Sequence, residues 1–172
     1  MTRRQIWMLV LGGLAVVAVV VVTAVVAVWM RSASVKPSVP DLTRQQADAR
    51  IQQYLSDTVN VIPGHATSTK ALYTTLACDD PADKAPAGSS SINTGYRLSF
   101  DNPPDNTEVY TKLHEHWVSL GYHINIDQRS HPGSRFLVAE NPHDGFAIGL
   151  QESNVGSLSV NISSPCMKSL SS

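Results

Sequence analysis

The sequence predicts an α+β domain behind a single N-terminal membrane-spanning helix. Two patterns carry that prediction. Residues 6–30 (IWMLVLGGLAVVAVVVVTAVVAVWM) are uncharged throughout, and only Gly12, Gly13 and Thr23 among them are not apolar. Beyond them the periodicity changes repeatedly: two segments place apolar residues at helical spacing, and several short ones alternate at strand spacing.

Residues 6–30, wound as a helix at about 1.5 Å per residue, span roughly 37 Å, enough to cross a hydrocarbon core of about 30 Å with some tilt. Trp7 and Trp29 fall near its two ends, where indoles favour the interface. A cleaved secretory signal carries a shorter apolar stretch, about 7–15 residues, so an uncleaved anchor is expected. Residues 1–5 then form a cytoplasmic tail. Arg3 and Arg4 precede the run and Arg31 and Lys36 follow it, so charge alone does not orient the span. The two cysteines, Cys78 and Cys166, break the tie. An even pair in loop-like contexts reads as one disulfide, which places residues 31–172 outside the cytoplasm.

Residues 31–41 (RSASVKPSVPD) hold two prolines and no periodicity, the signature of a short extended linker. Residues 42–172 make the outer domain. Thr43-x-x-Gln46 is a capping box, and Ala47, Ile51, Tyr54, Leu55 and Val59 follow along one helical stripe that stops before Pro63-Gly64. Residues 71–78 fit either a short strand or a helical turn, and Cys78–Ser91 reads as a loop. Ile92, Thr94, Tyr96, Leu98 and Phe100 alternate as a strand. A second helix carries Val109, Leu113, Trp117 and Leu120 on one face and ends at Gly121. Four strands follow, around Tyr122–Ile126, Arg135–Glu140, Phe146–Leu150 and Leu158–Ile162. The architecture expected is a two-layer sandwich of about five mainly antiparallel strands, with both helices on one face.

Composition narrows function by exclusion. The chain has a net charge of −1 and no lysine or arginine cluster, so a nucleic-acid partner is not expected. No GxSxG elbow, HExxH, P-loop, GxGxxG or SxxK occurs, so neither an enzyme nor a cofactor is expected. His114 and His116 lie about 200° apart on a helix and cannot both face one ion. His123, His131 and His143 would need to converge to bind zinc or copper. Asp79, Asp80 and Asp83 lack the spacing of a calcium loop. Tyr110 and Phe136 fall outside the apolar stripes, and with His131 and His143 they are the expected contributors to a binding surface.

Trp117-Val-Ser-Leu-Gly-Tyr122, Cys78-Asp-Asp-Pro81, Glu140-Asn-Pro-His-Asp-Gly-Phe146 and Ser164-Pro-Cys166 together resemble small membrane-anchored or secreted proteins of actinobacterial envelopes. The resemblance spans about residues 42–166 and implies location and a paired cysteine, with no activity to transfer. The function expected is a single-pass binding or accessory module whose partners are the bilayer and another envelope protein. The alternatives are a domain that holds a small ligand or lipid between sheet and helices, and a hydrolase built on His123, His131 or His143.

Overall fold

A computed structural model describes residues 42–78 and 88–168. The apolar run, the linker and the acidic loop residues Asp79, Asp80 and Asp83 lie outside the described residues. Among the described residues no helix is long and apolar enough to cross a membrane.

Helix α1 (Arg44–Val61) starts at the predicted capping box: Gln46 N–H donates to Thr43 Oγ1 at 3.2 Å, and Thr43 N–H donates to Gln46 Oε1 at 2.8 Å. Ala47, Ile51, Tyr54 and Leu55 are buried along the predicted stripe, with Thr58. Strands β1 (Ala66–Ala77) and β2 (Ser89–Phe100) follow as a long antiparallel pair. Helix α2 (Asn106–Ser119) is capped by Asp105, whose carboxylate accepts from Thr107 N–H at 2.8 Å. It ends in a Schellman turn: Tyr122 N–H reaches Trp117 O, Gly121 N–H reaches Val118 O, and Gly121 takes φ 76°. Leu120, expected on the apolar stripe, is the cap residue and half exposed, because the helix has ended before it.

The remaining strands are β3 (His123–Asp127), β4 (Phe136–Glu140), β5 (Ala147–Glu152), β6 (Leu158–Ser163) and the short β7 (Met167–Lys168). The sheet runs β1-β2-β6-β5-β4-β3, with β7 also on β2, and every pairing is antiparallel. Among the described residues it therefore has seven strands where about five were expected. The two additions are β7 and β1, which covers most of the segment 71–78 that fitted either a short strand or a helical turn and begins five residues before it.

A register shift between Lys70 and Leu72 explains why β1 was ambiguous. Before it Ser68 and Lys70 share a face with Leu98 and Tyr96; after it Leu72 pairs with Gly95 and Leu76 with Ser91, on the opposite face. The bulge breaks the alternation a strand should show. A second shift, between Ile124 and Ile126, does the same in β3. Ile126 sits opposite Val138 and is more than a third exposed, off the face predicted for it.

Both helices pack on one face of the sheet. Ile92, Tyr96 and Leu98 of β2, Val160 and Ile162 of β6, Ile148 and Leu150 of β5, and Leu137 and Ala139 of β4 form one core with Ile51, Tyr54, Val109, Tyr110, Leu113 and Trp117 of the helices. The disulfide Cys78–Cys166 is present, with Cα atoms 6.1 Å apart. It joins the end of the strand on one side of β2 to the connection between the two strands on its other side.

Candidate functional site

The four side chains expected to form a binding surface do not come together. Tyr110 is 1% exposed. It lies three residues before Leu113 and seven before Trp117, inside the buried stripe, and its Oη donates to Arg135 O at 2.9 Å. Its hydroxyl is satisfied by backbone, which is what lets a tyrosine occupy the core. His131 and His143 are exposed, in the turns at opposite ends of β4. Phe136 is half-buried on β4, and a Cβ on Gly149 would lie 3.5 Å from its ring, so the ring covers that glycine. Among the described residues, no three His, Cys, Asp or Glu side chains are grouped so as to hold a metal ion.

Two polar clusters escaped the sequence reading, because their members lie far apart in the chain. In one, Tyr54 Oη donates to Asp144 Oδ2 at 2.6 Å and accepts from Asn141 Nδ2 at 2.7 Å, while Arg50 Nε lies 3.3 Å from the same carboxylate oxygen. Burial, reinforced by the bond to Asp144, pushes the Tyr54 phenol well above its usual range. In the other, Glu152 accepts from Asn106, Gly133 N–H and Arg135. Arg135 also reaches Arg129 O and Thr107 Oγ1. The charges of both clusters are paired and hydrogen-bonded, and they fasten the helices to the turns of the sheet. That is structural chemistry.

The second face of the sheet differs in kind, because neither helix covers it. At one flank Leu72 and Leu76 of β1 are each 50% exposed. At the other, Ile126, Val138 and Phe136 lie side by side. The centre is small and polar: Asn93 donates to Ser163 Oγ at 3.0 Å, and the Asn161 side chain lies over Gly95, 3.0 Å from where a Cβ would stand. A cleft of about 270 Å³ opens here, lined by Leu72, Gly95, Arg97, Ser157, Ser159 and Asn161. Another of about 200 Å³ lies beside the start of α1, lined by Leu42, Arg44, Thr75, Ser90, Met167 and Lys168. Both are smaller than the roughly 300–1,000 Å³ typical of small-molecule pockets.

No protein-family model, curated protein or solved structure matches this chain.

Proposed function

We propose that the chain is a single-pass membrane protein whose domain, residues 42–172, stands outside the cytoplasm and binds another envelope protein through the uncovered face of its sheet. The observation that carries this reading is that face: among the described residues no helix covers it from β1 to β3, and it holds apolar side chains on both flanks. Exposed apolar area of this kind marks interaction surfaces on otherwise polar domains. The uncharged run of residues 6–30 supports the tether, and the Cys78–Cys166 bridge supports an oxidising compartment. Tethering raises the effective concentration of a weakly binding domain near a membrane partner. The space between sheet and helices is filled by Trp117, Tyr110 and Phe146, all fully buried, which favours surface docking over an enclosed ligand.

Site-specific photocrosslinking of the full chain in native membranes tests the reading. A photoreactive residue at Leu72 should give one adduct of defined mass, and the same residue at Ser56, exposed on α1, should give none. Equal labelling from both positions, or none from Leu72, overturns it.

A further inference from the structure

We infer that the partner is held by strand addition to the outer edge of β1, as an extended segment with a carboxylate directed to Arg97 and apolar side chains beside Leu72 and Leu76. This rests on the docking reading above and specifies how the docking occurs.

β1 is an edge strand of 12 residues, roughly twice the usual strand length, and no described element pairs with its outer side. Such an edge offers a row of unpaired N–H and C=O groups, and proteins guard it with proline, with charges or with a bulge. β1 has no proline and one charge, Lys70, and its bulge lies after Lys70, leaving Leu72–Ala77 as an uninterrupted run. Lys70 is on the helix side of the sheet, with its ammonium 5.1 Å from the centre of the Tyr73 ring, so it does not guard the open face.

The side chains along this edge set a register. The bulge after Lys70 puts Leu72 and Leu76 on the open face, four residues and roughly 13 Å apart. Arg97, on the adjacent strand, stands opposite Thr69, one row before the Leu72–Gly95 pair. It is exposed and forms no ion pair among the described residues. β1, β2 and β6 contain no acidic residue, so no carboxylate on these strands compensates the positive charge at this corner. Ser159, opposite Arg97 on β6, adds a hydroxyl in the same cleft, beside Ser157, whose Oγ is paired with Ser153 Oγ at 2.6 Å. A strand added to β1 would lie two strand spacings, about 10 Å, from Arg97, within the combined reach of an arginine and a glutamate. Thr69 between them is small. Counting rows along the open face, the complementary segment carries an acid, an apolar residue two positions on and another six positions on. Main-chain bonds supply affinity in this mode, and the alternating side chains supply selectivity.

The test uses the full chain in detergent micelles and the synthetic peptide Thr-Glu-Thr-Val-Thr-Thr-Thr-Val-Thr, with its reversed sequence to cover both strand directions. One order should bind saturably by fluorescence anisotropy and slow amide hydrogen exchange along β1. Arg97→Gln should weaken binding about tenfold, as should Lys in place of the peptide's Glu, in keeping with loss of a charge-assisted hydrogen bond. Leu72→Lys should abolish binding. Failure of both peptides, indifference to Arg97→Gln, or binding without protection of β1 overturns the inference. Leu72 adducts in membranes that persist in Arg97→Gln leave the docking reading standing and remove this one.

Discussion

Arg135 Nη1 donates to both carboxylate oxygens of Glu152, at 3.3 and 3.2 Å, with the two side chains only 10% and 5% exposed. The pair joins the start of β4 to the end of β5, and Asn106 and Thr107 tie it to the first turn of α2. Both charges have left water, so removing one strands the other. Glu152→Ala is expected to cost about 3–5 kcal/mol, far more than an exposed pair such as Lys112–Glu108. Urea denaturation of the two variants, Glu152→Ala and Glu108→Ala, checks the contrast.

The same carboxylate gives the fold an acid limit. Burial alone would raise the Glu152 carboxyl, but hydrogen bonds from Asn106 and Gly133 and the charge of Arg135 hold it below its usual range. Asp127 is likewise held low, by its bond from Arg129 against a smaller effect of burial. A carboxyl depressed in the folded state contributes fully above its unfolded value, about 4, and loses that contribution as pH falls through the folded value. The melting temperature should therefore fall as pH drops below about 4, and Glu152→Gln should make that fall shallower. Parallel acid slopes for the two proteins would contradict this.

The disulfide closes a separation of 88 residues. In the chain-entropy model such a loop is worth roughly 4–5 kcal/mol, a large share of the 5–15 kcal/mol typical of a domain. Cys78→Ser with Cys166→Ser should lower the urea midpoint accordingly, and adding reductant to that variant should change nothing further.

Tyr110 and Phe136, paired in the sequence reading as surface aromatics, should separate on mutation. Tyr110→Phe removes a donor to Arg135 O in the core and is expected to cost about 1 kcal/mol. Tyr110→Ala is expected to cost about 3–5 kcal/mol, as for other buried aromatics. Phe136→Ala uncovers Gly149 on the open face and should cost less than Tyr110→Ala. Thermal denaturation of the three variants ranks them.

What could be read from the sequence was whatever depends on near neighbours. The Thr43–Gln46 box, the Gly121 stop and the alternation of β2, β5 and β6 are local signals, and each lies where expected. β1 was obscured by its bulge, which swaps faces midway and leaves a threonine-rich strand without alternation. Tyr110 was misplaced because an apolar stripe is wider than one row of positions, so i+3 and i+7 partners bury it as well as i+4 ones do. Glu152 and Arg135, and Tyr54 and Asp144, come from distant segments brought together only by the turns of the sheet. The open face was hidden for a related reason: its membership depends on which helix packs where, and on two register shifts that periodicity averages away.

The most direct test of the account is the size of the native complex in membranes carrying the full chain with Leu72→Lys and Leu76→Lys together. Both side chains are half exposed, so the domain should keep its stability. The account predicts that the protein then migrates alone on a native gel, while a Val118→Lys control, changed at an exposed position of α2 on the other side of the sheet, keeps its partner. A complex of unchanged size in the double variant would contradict it.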